Sequence, residues 1–328
     1  MWVKCVGLPV LLVALGLQAS AVQTLPGAQT LSGAQAGPAA VPGAPNAVAL
    51  LAAARSALNA NHPNAAEEDI RKAIQIDPNS AEAMYFLARL LERRNVPRDS
   101  LSWFTHAAKI ATPSGEDLRF VALDYILLKD TSDALHWLTR SVAMDPTNSE
   151  AWYDLARAWM TQGDYTKALQ PMLRALSLEP KSVKAENNLG LIYEAQNRTK
   201  EAATAYKNAV LWQSSDPHPS EQPLLNYGTL LTTERHAAEA VPLLEQAASI
   251  APSNFKCREQ LARALDQQGQ FLQASTEMAH AVQLDPKNPR LHYQLGQMYR
   301  HSGNNVKATE ELALSAKLYG KSSSETGP

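Results

Sequence analysis

The chain has 328 residues, more than one hydrophobic core usually organises, and 45% of them are hydrophobic. Its 30 Lys and Arg stand against 32 Asp and Glu, a formal charge of −2. That balance argues against bulk attraction to nucleic acid or to an anionic membrane.

The first residues carry an address rather than a fold. Lys4 precedes an apolar run from Val6 to Leu17, and Ala19-Ser20-Ala21 follows. Charge, short apolar core and small-x-small site are the order of a secretory signal peptide, here 1–21. The expected location is periplasmic or secreted, with envelope association as a further option. The run is short for a membrane span, and an uncleaved anchor is the alternative. Cys5 lies before the apolar core, whereas a lipidated cysteine would follow it. Residues 22–46 hold Ala, Gly, Pro, Gln and Ser with no charge, and read as a disordered linker. Cleavage would leave Cys257 as the one cysteine, so no internal disulfide is expected.

From there the chain repeats. Ala54, Ala88, Ala122, Ala156, Gly190, Gly228, Ala262 and Gly296 are separated by 34 residues, except for one step of 38. A fixed period of this length marks stacked supersecondary units. Apolar residues recur in step three positions after each small one, as at Leu91, Tyr125, Trp159 and Tyr193. A second set includes Ala168, Met172 and Ala175 in one unit and Ala274, Met278 and Ala281 in another. Spacings of three and four place each set on one helix face. Small residues at the crossing let two backbones approach, and a larger one would overpack the contact at a cost of about 1–3 kcal/mol.

Breakers divide the units. Gly163-Asp164, Gly269-Gln270 and Gly303-Asn304 read as the turn inside a hairpin. Pro78, Pro146, Pro180, Pro252 and Pro286 end units, since proline biases the preceding residue away from helical geometry. Pro113 comes one residue late, and residues 217–220 are a four-residue insertion. Pro171 and Pro242 are expected early in second helices, where first-turn N–H groups are free.

One unit reads Trp152, Leu155, Ala156, Trp159, Gly163, Tyr165, Ala168, Met172, Ala175 and Pro180. This closely resembles the tetratricopeptide repeat. Eight such units begin near 47, 81, 115, 149, 183, 221, 255 and 289, and together fill 47–320. The resemblance implies an all-α fold, a right-handed superhelical solenoid of about eight helix-turn-helix repeats. Residues 321–328 read as a disordered tail.

No phosphate loop, dinucleotide fingerprint or nucleophile elbow appears, and no two of the eight histidines form a metal-ligating HxxxH pair. No metal, cofactor or catalytic residue is expected, and no segment outside the repeats is long enough for a catalytic domain. Cys257, near a helix start, reads as an incidental small residue rather than an activated thiol. Asn197-Arg198-Thr199 matches a glycosylation sequon at an exposed turn.

In the repeats this chain resembles, first helices line a concave groove that holds a ligand. Residues following the small position include Arg55, Arg89, Arg157 and Arg263, and one turn earlier come Tyr85, Tyr153 and Tyr293. Arginine offers a planar fork to carboxylates, and tyrosine offers rigid contact area with a polar tip. Such a lining suits an extended acidic or mixed peptide. Equally, the arginines could solvate an exposed face by pairing with acids such as Glu92 or Asp154. Asn188 and Asn226 occupy the same place in successive units, and the resemblance implies hydrogen bonds from them to a bound backbone. The expected partner is therefore a protein or peptide, with no nucleic acid and no small-molecule cofactor. The last unit lacks a covering helix, and Leu314 and Leu318 there suggest self-association through the C-terminal repeat.

The sequence thus describes a non-enzymatic scaffold or adaptor for an exported or membrane protein. The alternative is an accessory or regulatory subunit of a cell-envelope enzyme or of an export or secretion complex.

Overall fold

A computed structural model describes residues 46–325, with side chains to 320. The signal peptide and the linker up to residue 45 lie outside the described residues, as do 326–328. Among the described residues there are sixteen α-helices and no strand. The first hairpin is α1 (Ala47–Asn59) and α2 (Pro63–Ile76). Then come α3 (Ala81–Arg93) with α4 (Pro97–Ala108), and α5 (Gly115–Leu127) with α6 (Thr131–Met144). These six helices form one compact unit.

A second unit begins at Asp145. It holds α7 (Ser149–Thr161) with α8 (Tyr165–Leu178), α9 (Val183–Ala195) with α10 (Thr199–Gln213), and α11 (Glu221–Thr233) with α12 (Ala237–Ile250). Two further hairpins follow, α13 (Phe255–Gln267) with α14 (Phe271–Leu284), and α15 (Pro289–His301) with α16 (Asn305–Glu325). Within each unit every second helix packs against the first helix of the next hairpin, giving an all-α repeat solenoid.

Each first helix starts in the same way. Asn46, Ser80, Ser114, Asn148, Ser182, Ser220, Asn254 and Asn288 are the N-caps. All but Ser182 accept a bond from a first-turn N–H, each contributing about 1 kcal/mol. Each first helix also ends in the same way. The residue seven past the small position has a positive φ, between 57° at Asn95 and 80° at Gly303. The next N–H then reaches back five residues, as from His62 to Ala57 O (2.8 Å) and from Asn304 to Tyr299 O (2.7 Å). This Schellman closure satisfies carbonyls at the helix end and reverses the chain into the second helix.

The small positions are sealed. Ala54, Ala88, Ala122, Ala156 and Ala262 are fully buried. A Cβ on Gly228 would stand 2.6 Å from Leu244 Cγ, and one on Gly296 would stand 2.7 Å from Leu312 Cγ. The first unit centres on Ile70 and Leu87, and the second on Leu224, Leu244, Met278 and Leu295.

Two local expectations are corrected. Pro171 and Pro242 are the seventh and sixth residues of α8 and α12, beyond the free first-turn N–H groups, so each interrupts the backbone ladder. Helix α16 runs on to Glu325, past the expected end of the repeats at 320.

Candidate functional site

The functional candidates lie on first helices. In the first unit, Arg55 on α1 pairs with Glu82 on α3 at 2.5 Å, and both are exposed. Arg89 on α3 pairs with Asp117 on α5 at 2.8 Å. Each arginine thus meets an acid on the next first helix. Asp117 also accepts the Ser114 N–H in a capping box, which fixes its carboxylate.

Tyr85 departs from the expectation. It is 7% exposed, its ring lies against Phe104 at 6.1 Å, and its hydroxyl donates to Ala111 O at 2.6 Å. Burial pushes that phenol up to about 12. The residue belongs to the core and does not line a groove.

In the second unit the same columns form a polar ladder. Asn188 Nδ2 on α9 donates to Tyr153 Oη on α7 at 3.0 Å, and Asn226 Nδ2 on α11 donates to Asn187 Oδ1 on α9 at 2.9 Å. These amides brace adjacent first helices, a role that the sequence did not show. Neither Asn188 Oδ1 nor Asn226 Oδ1 accepts a bond among the described residues, so each keeps its capacity to accept from a peptide N–H.

Tyr153 gathers two cations. Arg157 Cζ lies 5.6 Å from its ring centroid and Lys184 Nζ lies 4.7 Å from it. Burial raises the phenol's pKa while both cations oppose the rise. Lys184 also holds Glu150 at 2.6 Å. Further along, Arg290 pairs with the fully buried Glu259 at 2.8 Å, Arg263 bonds Gln260 at 3.0 Å, and Tyr293 is 51% exposed. The acids that take the arginines Arg55 and Arg89 are therefore Glu82 and Asp117 of the following hairpin.

Other reactive groups are held in the core. Cys257 is fully buried, and burial raises its thiol to about 11, away from the thiolate form. Asn197 is an exposed turn residue with φ 59°. Among the described residues no three metal-capable side chains come together, and no helix is long and apolar enough to cross a membrane.

Comparison with known proteins agrees with this geometry. Residues 118–263 match the family described as the cilia and flagella-associated protein 70 middle TPR-like domain. Residues 51–115 and 259–323 match the tetratricopeptide repeat family. Over 90 residues the chain is 31% identical to a TPR repeat-containing thioredoxin, TTL4, of Arabidopsis thaliana. That match covers 27% of this chain and 13% of the relative, so the chain spans a small part of the relative's length.

Two solved structures share the fold. A tetratricopeptide repeat protein from Parabacteroides merdae aligns with a TM-score of 0.56 at 16% identity, over 82% of this chain and 98% of that one. PilW, a type IV pilus biogenesis factor, aligns with a TM-score of 0.55 at 21% identity, over 61% of this chain and 91% of that one. The helical hairpins, their small-residue crossings and these matches agree, and the chain belongs to the tetratricopeptide-repeat family.

Proposed function

We propose that this chain is a non-catalytic scaffold that binds a polypeptide segment of an exported or membrane-bound protein along its first helices. The repeat fold itself is that of a protein-interaction scaffold. The observation that carries the finer reading is the ladder of Tyr153, Asn187, Asn188 and Asn226. Hydrogen bonds between successive first helices hold amide groups in fixed positions before any ligand arrives. Preorganised polar groups lower the ordering cost of binding an extended chain. Export is part of the proposal, and it is supported by the charge, apolar run and small-x-small order of residues 1–21.

Affinity capture from the native envelope fraction tests the reading. The parent is compared with an Arg157→Glu/Tyr293→Ser variant, after circular dichroism shows that both fold. Loss of a partner from the variant is the expected result. Equal recovery by both would move the site off the first helices.

A further inference from the structure

The second unit carries an open groove away from the columns described above. It has a volume of about 890 Å³ and is bounded by α14, the end of α15 and the start of α16. Sites for small ligands span about 300–1,000 Å³. The repeat registers show why the groove is there. Thirteen residues past the small position, α4, α6, α8 and α12 carry Leu101, Leu135, Leu169 and Val241, and α14 carries Ser275. Seventeen past it, the helices from α4 to α12 carry Thr105, Thr139, Leu173, Lys207 and Glu245, and α14 carries Ala279. Two small residues on successive turns of one helix face leave the space that larger side chains fill elsewhere.

The rim and walls also differ from the other hairpins. Leu272 is 76% exposed, in a register where earlier second helices carry Asn64, Arg98, Ser132, Thr166 and Lys200. Phe271 lies against His301 with ring centroids 5.5 Å apart, and Asp266 fixes that imidazole through Nδ1 at 2.7 Å. Tyr299 lines the groove too, with Lys307 Nζ 5.5 Å from its ring centroid. The rest of the lining is rich in amides. Gln273 and Gln283 form no hydrogen bond among the described residues. Gln270 uses only its Nε2, which donates to Gln268 Oε1 at 2.9 Å, and Asn304 only its Oδ1, which accepts the Lys307 N–H at 3.2 Å. Among the described residues the lining holds no carboxylate, and Lys307 is its one ammonium.

A pyranose ring has a face of C–H groups and a rim of hydroxyls. Aromatic faces carry partial negative charge and attract the polarised C–H groups. An amide donates and accepts at once, as a hydroxyl does, so the two match without any ionic group. An anion would meet a single ammonium here, and a cation would meet no carboxylate.

We infer that this groove binds a neutral carbohydrate, with Phe271 and Tyr299 against sugar faces and Gln273 and Gln283 on hydroxyls. A second groove of about 520 Å³ shares Leu272, Gln273 and Thr276 with the first, which gives the site room for several sugar units. The inference stands apart from the scaffold reading, since it uses none of the side chains that carry that reading.

The full chain is screened on a printed array of neutral glucans, mannans, galactans and chitooligosaccharides, and what binds is titrated by isothermal calorimetry. At least one of these glycans is expected to bind, and to stay bound at about 0.5 M salt, where attraction between charges is screened. Ala279→Leu restores the side chain of Leu173 at that register and is expected to weaken binding roughly tenfold or more, as is Gln273→Ala/Gln283→Ala. The amide variant keeps the test open if Ala279→Leu lowers the melting temperature. Arg157→Gln, on α7, is expected to leave binding unchanged.

Binding of no glycan would overturn the site, as would equal binding by the parent and both groove variants. Binding that disappears at high salt would assign the contact to an adventitious charge attraction at Lys307. Loss of a captured polypeptide from Ala279→Leu, with no glycan bound, would give the groove to a protein instead. The capture experiment with Arg157→Glu/Tyr293→Ser reports on the scaffold reading alone, so either idea can fail without the other.

Discussion

Tyr206 lies against the bare Cα of Gly190, where a Cβ would overlap its ring. The tyrosine is fully buried, and its hydroxyl donates to Glu194 at 2.8 Å. Each small residue faces the residue sixteen positions on, and at this crossing the glycine makes room for the tyrosine ring. Gly190→Ala is expected to destabilise the second unit by about 1–3 kcal/mol, since a ring held in a packed hairpin cannot move freely. Gly190→Ala/Tyr206→Leu should recover part of the loss, because it reproduces the Ala122 and Leu138 combination of the first unit. Urea unfolding of the three proteins checks both statements.

A buried acid gives the first unit a pH dependence. Asp124 is fully buried on α5, in a column where other units place residues such as Leu90, Ile192 and Leu230. Ser100 Oγ lies 2.5 Å from Asp124 Oδ2 and 2.9 Å from Ala88 O. A hydroxyl has one proton, so the chain closes when Ser100 donates to the carbonyl and a protonated Asp124 donates to Ser100.

Burial pushes that carboxyl up to about 8. A bond donated by Ser100 to the ionised carboxylate opposes the rise, and the charge of Glu92 adds to it. The folded chain then keeps a proton that the unfolded chain releases near 3.8. The stability this group contributes is complete below that value and is lost as pH rises through about 8. Thermal melts from about pH 5 to about pH 8 should show the parent losing Tm relative to Asp124→Asn. Parallel curves would contradict the assignment.

The turns offer a gain in stability. Lys129 (φ 63°) and Arg235 (φ 66°) hold the left-handed position that Gly163, Gly269 and Gly303 fill elsewhere. A side chain with a Cβ costs about 1–2 kcal/mol there. Lys129→Gly and Arg235→Gly should each stabilise by a few tenths to about 1 kcal/mol, after the greater entropy of the unfolded glycine is subtracted. Unchanged or lower denaturation midpoints would count against this account of the turns.

The repeats were legible because packing imposes them locally. Small residues such as Ala156 and Gly228 recur at the crossings, and Asn148, Asn254 and Asn288 recur at the caps, so residue spacing alone reveals the period. The site was less legible. Arg55 and Glu82 are 27 residues apart, and the packing of α2 against both α1 and α3 brings them together. Tyr85 shares a column with the exposed Tyr293, yet it is buried. Helix α4 stops at Ala108, and the long link to Gly115 brings the Ala111 carbonyl within reach of its hydroxyl. Asn188 and Asn226 were recognisable as polar residues on a helix face, but their bonds to Tyr153 and Asn187 depend on the neighbouring helices.

The central claim is that a polypeptide partner lies along the first helices. Site-specific photo-crosslinking tests it most directly. A benzophenone amino acid is placed at Tyr293 on α15, 51% exposed, and in a second protein at Leu211 on α10, a second helix, 64% exposed. Irradiation in the native envelope fraction should join the partner at position 293 and not at 211. Crosslinking at 211 with none at 293 would contradict the account.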